Sequence, residues 1–160
     1  MIKLRKPSAE KVVTTTMKLA GEEFEIDLVP LTEEDRLNIF RKFRKKKSIH
    51  NPVTRAMEML TYFDDDDAGF QKAADELLCK IIVDFRNIAD VNGVPFDGKL
   101  EENKMLLGSV KVDYIEDITV VDESGQTAII KQPRERYLRA SIIDKAVELS
   151  STVAEAEAKN

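Results

Sequence analysis

Four groupings of side chains in this sequence have types and spacings that could do chemistry. Gly93-Val-Pro-Phe-Asp-Gly98-Lys99-Leu100 fits the phosphate-loop pattern G-x-x-x-x-G-K. In such a loop backbone N–H groups cradle phosphate, and a Ser or Thr hydroxyl after the lysine meets magnesium. Leu100 has no hydroxyl, and Pro95 removes one N–H from the cradle, so a plain turn is expected. The run Asp64 to Asp67 offers hard oxygen ligands that suit calcium or magnesium. Counted as an EF-hand from Asp64, however, its fifth position is Ala68 and its twelfth is Asp75, where a bidentate glutamate is needed. The four acids read instead as a solvated cap that complements the dipole of the next helix.

Cys79 and His50 are the chain's only thiol and imidazole, a formal nucleophile and base pair. Cys79 sits beside Leu78 and Ile82 in a helical pattern, where a small half-buried hydrophobe is the ordinary role, and no third orienting group is identifiable. No G-x-S-x-G elbow occurs. The expectation is a non-enzyme with no catalytic residues, no cofactor and no metal.

The fourth grouping is electrostatic. Residues 36–55 hold Arg41, Lys42, Arg44, Lys45, Lys46, Lys47, His50 and Arg55 without one acid, against a net charge of −5 for the 160-residue chain. Such a segment can neutralise phosphates, meet an acidic partner, or simply be solvated. Aromatic interleaving for base stacking is limited to Phe40 and Phe43, which sit on an apolar stripe, so nucleic acid is the lesser expectation.

Composition sets the frame for these groups. One cysteine excludes internal disulfides, one histidine excludes multi-histidine metal sites, and no apolar run approaches the roughly 18 residues of a membrane span. Residues 1–7 lack the apolar stretch of a secretory signal, so a reducing cytoplasm is expected.

The elements follow from periodicity. Residues 1–16 have no clear period and are expected to form an arm. Met17, Leu19, Phe24, Ile26 and Leu28 alternate around Ala20-Gly21, which predicts a hairpin stopped by Pro30. Thr32 then caps a helix whose stripe is Leu37, Phe40 and Phe43 or Arg44, with lysines and arginines in its last turns. After the break at His50-Asn51-Pro52, Val53, Ala56, Met57, Leu60 and Phe63 or Tyr62 predict a second helix. Phe70, Ala73, Ala74, Leu77, Leu78, Ile81, Ile82 and Phe85 predict the central helix over 68–85. The Asn92-Gly93 pair predicts a turn, and Leu100 to Leu107 a short helix. A second hairpin is expected near 117–131, then a helix opened by Pro133 and a tail that frays over 151–160. The expected fold is α+β and mainly helical: one globular domain over 17–150, with its core in 17–108 and a hairpin-helix extension over 109–150.

Three stretches carry a family resemblance: Phe24-Glu-Ile-Asp-Leu-Val-Pro-Leu-Thr-Glu-Glu-Asp35, Asp75-Glu-Leu-Leu-Cys-Lys-Ile-Ile-Val-Asp84-Phe85 and Ile88-Ala-Asp-Val-Asn-Gly-Val-Pro-Phe96. Over about 20–108 the chain resembles phage tail assembly chaperones. In that family a β-element precedes an acid-capped helix, and a later helix ends near an aromatic, usually tryptophan. A D-x-x-G-x-P turn and a leucine-rich helix follow. Phe85 replaces the tryptophan, and Asp90, Gly93 and Pro95 match the turn. The C-terminal third departs from the pattern.

The resemblance implies a chaperone that binds the tape measure protein, aids recruitment of tail tube subunits in the host cytoplasm and is absent from the mature particle. Its partner surface would combine rim charges at Arg41, Arg44, Lys45, Lys46 and Lys47 with adaptable methionines, Met57, Met59 and Met105. A homo-oligomer is compatible with this. The alternatives are a small nucleic-acid-binding or regulatory protein acting through 36–55, and a structural subunit of the tail.

Overall fold

The computed structural model describes residues 11–50, 55–121 and 123–158. Phe24, Ile26 and Leu28 alternate with charged residues along β2 (Glu22–Leu28), and this period of two turns all three into the core, each at most 2% exposed. β2 is the middle strand of a three-stranded antiparallel sheet in the order β1-β2-β5, between β1 (Val13–Leu19) and β5 (Ile82–Arg86). Ala20 and Gly21 make the β1–β2 turn, both with positive φ. On the opposite face of the sheet, the Arg86 guanidinium donates to both Asp27 carboxylate oxygens at 2.8 and 3.0 Å, and the Thr14 hydroxyl donates to Oδ1 at 2.6 Å.

Among the described residues four helices pack around the buried face. α1 (Glu33–Phe40) starts at Thr32, whose side chain accepts the Asp35 N–H at 3.1 Å, as the sequence predicts. α2 (Ala68–Ile81) starts at Asp67, whose carboxylate accepts the Phe70 N–H at 3.0 Å. α3 (Glu101–Gly108) and α4 (Leu138–Ala158) complete the core, with Leu107, Leu138, Ile142 and Ala146 buried beside Leu77, Leu78 and Ile81. Arg139 of α4 reaches Asp75 of α2 at 2.8 Å while its guanidinium lies 4.3 Å from the Tyr137 ring centre.

Two antiparallel hairpins stand apart from the three-stranded sheet: β3 (Lys45–His50) with β4 (Met57–Tyr62), and β6 (Lys111–Val121) with β7 (Thr127–Tyr137). They overturn the expectation of a mainly helical protein. About 37% of the described residues are helical and 38% are strand, so the fold is a mixed α+β one.

Each correction has a local cause. The helix expected over 53–63 is strand β4 from Met57, because Met57, Met59 and Thr61 sit two apart and pair across to β3; Val53 lies outside the described residues. The basic residues expected in the last turns of the first helix lie past its end. Arg41–Phe43 form a 3-10 turn and Lys45–His50 form β3. The central helix stops at Ile81 rather than 85, since the backbone turns extended at the β-branched pair Ile82-Val83 and β5 hydrogen-bonds to β2. The second hairpin is longer than 117–131 and includes Pro133, so α4 begins only at Leu138. α4 then runs to Ala158 rather than fraying from 151. Of the arm expected over 1–16, residues 13–16 belong to β1, and 1–10 lie outside the described residues. Among the described residues no helix is long and apolar enough to cross a membrane.

Candidate functional site

Four of the chain's seven phenylalanines fall between positions 40 and 70, and the fold gathers them. Phe40 closes α1, Phe43 ends the 3-10 turn, Phe63 follows β4 and Phe70 lies in the first turn of α2. Ring centres are 5.0 Å apart for Phe40 and Phe70, 5.6 Å for Phe63 and Phe70, 6.1 Å for Phe43 and Phe70 and 6.3 Å for Phe40 and Phe63, all within the range of favourable aromatic pairs. This cluster is the root from which the β3–β4 ribbon leaves the core.

Beside the root opens a groove of about 370 Å³. Phe40 and Phe70 form its floor, and Leu37, Phe63, Ala140 and Ile143 form its walls. Leu37 and Phe63 are 37% and 38% exposed, so the groove presents apolar surface to solvent. Its rim is charged and internally paired: Arg36 binds Glu33 at 2.6 Å and Asp144 at 2.8 Å, and Arg136 binds the other Asp144 oxygen at 3.0 Å. Asp65 completes the rim. Burial pushes its carboxyl above the ordinary range, with Asp66 and Asp64 adding to the effect and Arg139 and Arg136 opposing it.

Cross-strand pairing sorts the ribbon into two faces. Lys45 and Lys47 share one with Tyr62; Lys46, Ser48 and His50 share the other with Met57 and Met59. Lys45 is tied down, 3.3 Å from Asp64 and 3.1 Å from Asp67, and Lys47 lies 5.1 Å from the Tyr62 ring centre. Lys46, Met57 and Met59 face solvent, the methionines each 65% exposed. Arg41 donates to Asn38 at 3.4 Å, and Arg44 is exposed where the chain enters β3. Seven of the eight residues singled out in the sequence therefore stand on or next to this ribbon. Met105 does not: it lies on α3 and lines a separate cleft of about 650 Å³ between α2 and α3.

Cys79 lines that same cleft, with its thiol pushed up by burial and further by the Glu101 charge, which suppresses nucleophilicity. The structure does not bring it together with His50, which is on the ribbon. Gly98 is accounted for by packing: a Cβ there would lie 2.3 and 2.4 Å from the backbone N and O of Phe85. The acids at 64–67 cap and pair, Asp64 accepting the Asp66 N–H at 3.0 Å and binding Lys45, while Asp67 caps α2. Among the described residues no group of three or more His, Cys, Asp or Glu side chains is placed to hold a metal ion.

Sequence reasoning missed the groove, because Leu37, Phe63 and Ile143 are far apart in the chain and each fits an ordinary core pattern. The density of phenylalanine at 40–70 was the available signal. Compared with known proteins, the chain matches no family model, no curated protein and no solved structure.

Proposed function

We propose that the protein is a non-enzymatic tail assembly chaperone of a phage or prophage, acting in the host cytoplasm, which holds an apolar helical segment of the tape measure protein and aids recruitment of tail tube subunits. The observation that carries this reading is the groove walled by Leu37, Phe63 and Ile143 and floored by Phe40. A groove of this kind takes the apolar face of an amphipathic helix, one or two anchor side chains at a time. Rim charges already paired with one another steer the client without adding unpaired buried charge. The adjacent methionines, Met57 and Met59, add a face that adapts to different side chains. The resemblance over 20–108 supports the choice of client.

The test is co-expression with a tape measure protein from the same genome. The wild-type chain keeps the client soluble and co-purifies with it, whereas Leu37→Asp and Phe63→Asp lose co-purification while retaining wild-type circular dichroism. Unchanged client solubility with no co-purification overturns the reading. Finding the chain in purified particles favours a structural tail subunit instead.

A second reading is favoured by the shape of the basic segment. It leaves the core as a two-stranded ribbon bearing Arg44, Lys46 and Lys47, and a DNA major groove admits such a ribbon. Binding to duplex DNA that weakens steeply with salt supports it, and no binding at low salt removes it.

A further inference from the structure

The β6–β7 hairpin is long and bare. Its strands are 11 residues each, and β7 is exposed at every position from Thr127 to Glu135. Ile115, Ile129 and Ile130 are 66%, 68% and 53% exposed. A two-stranded hairpin is marginal in water by itself, and an unpaired strand edge is a template for another strand.

The two edges are not equivalent. Pro133 stands opposite Ile115 in an unbroken register. Proline has no N–H, so this pair is one of the non-hydrogen-bonded pairs of the ladder, and strict alternation makes Asp113, Asp117 and Thr119 members of such pairs as well. The backbone N–H and C=O groups of Asp113, Ile115, Asp117 and Thr119 therefore point outward along β6. On β7 the same set includes Pro133, which interrupts the outer row of donors and blunts that edge. β6 is the open edge.

The charge on β6 selects the occupant. Asp113, Glu116 and Asp117 make it acidic, although Glu116 is already bound to Arg134 of β7. Two described strands carry a marked basic excess: β7, whose own outer edge Pro133 blunts, and β3, on a hairpin that also lacks a third strand. Laid antiparallel with Asp117 opposite Lys46, β6 and β3 set Glu116 opposite Lys47 and Asp113 opposite His50, and no like charges meet. Pairing β6 with itself about its centre would instead set Glu116 against Glu116 or Asp117 against Asp117. We propose that the free edge of β6 receives β3 of a second copy of this chain. Because donor and acceptor strands are different parts of the molecule, each copy offers both, and the contact propagates head to tail into a ring or filament. This does not depend on the identity of any client.

Sedimentation of the full chain, nuclease-treated, over a range of concentration and salt tests it. The wild type associates with rising concentration, less so at high salt. Lys46→Glu with Lys47→Glu stays monomeric, and so does Glu116→Lys with Asp117→Lys. An equimolar mixture of the two variants associates again, since each restores the other's complement. Thr119→Pro removes one outward N–H that the hairpin does not use, and it abolishes association without altering charge. Circular dichroism matching the wild type shows that each variant is folded, and loss of association in several folded variants keeps the result independent of any one that misfolds. A wild type that is monomeric throughout, charge-reversed variants that associate like the wild type, a mixture that stays monomeric, or association that vanishes with nuclease each overturns the proposal.

Discussion

Lys45 holds the carboxylate of Asp67 at 3.1 Å while that carboxylate accepts the Phe70 N–H at 3.0 Å, so the first residue of the basic ribbon secures the cap of the central helix. Both groups respond: hydrogen bonding to the Phe70 N–H and then to Lys45 holds the Asp67 carboxyl below its ordinary range, and bonds to Asp67 and Asp64 hold Lys45 above its own. Asp67→Ala is expected to lower Tm by roughly 2–4 °C, the usual effect of losing a cap in a domain of this size. Lys45→Ala should lower it less, because the cap survives. Thermal unfolding of the two variants and the double variant measures both effects, and the double variant should fall short of their sum.

Gly98 and Gly93 should answer differently to alanine. At Gly98 the new methyl meets Phe85 backbone atoms at 2.3 and 2.4 Å, which no rotamer change relieves, so Gly98→Ala is expected to cost about 3 kcal/mol or more. At Gly93 there is open space but φ is +81°, and the cost is the left-handed strain alone, about 1 kcal/mol. Urea unfolding at neutral pH distinguishes them.

The Arg139–Asp75 pair joins α4 to α2, with the Arg139 side chain only 7% exposed and that of Asp75 27%. Removing the cation alone strands a half-buried carboxylate and loses the packing on Tyr137. Arg139→Leu is therefore expected to destabilise by roughly 2–3 kcal/mol, discounted from a fully buried pair. Adding Asp75→Leu should recover at least half of that loss, and a double-mutant cycle by urea unfolding reads the coupling.

Asp27 makes stability sensitive to acid. Hydrogen bonds from Arg86 and then Thr14 lower its carboxyl from the ordinary 3.8 to about 2. The folded state thus binds its proton less readily than the unfolded chain does. Its contribution is full above about pH 4 and is lost as pH falls toward 2. Asp27→Asn should lower Tm by a few degrees at pH 7. The difference from wild type should shrink between pH 4 and pH 2, as calorimetry over that range will show.

The elements that bury one face were legible in the sequence. β2 announced itself through Phe24, Ile26 and Leu28, and α1 and α2 through Thr32 and Asp67 followed by apolar stripes. The second hairpin was legible in its β-branched residues, though not to its full length; the β3–β4 ribbon was not, because a strand exposed on both faces has no burial pattern to imprint a period of two, and Lys45 to Lys47 read equally well as a solvated helix end. The end of α2 was missed because Ile81, Ile82 and Phe85 satisfy a helical stripe, and the same residues serve a sheet once the backbone extends at Ile82. Of the site, the basic run and Met57 and Met59 were visible as composition. The groove was not, since it exists only when α1, α4 and the residue after β4 meet in space.

α2 passes into β5 with no loop between them. Ile82 N–H still donates to the Leu78 carbonyl, although its own φ and ψ of −85° and 117° are those of a strand. The helix spans about 21 Å, with the ribbon's anchor at one end and the sheet at the other. The ribbon at Lys45 and the sheet at β5 are therefore joined through one helix, with exposed ion pairs to Asp64 and Asp67 as the link at the ribbon end. The amides of β5 should exchange hydrogen far more slowly than those of the exposed β3, and a partner that grips the ribbon should slow β3 first.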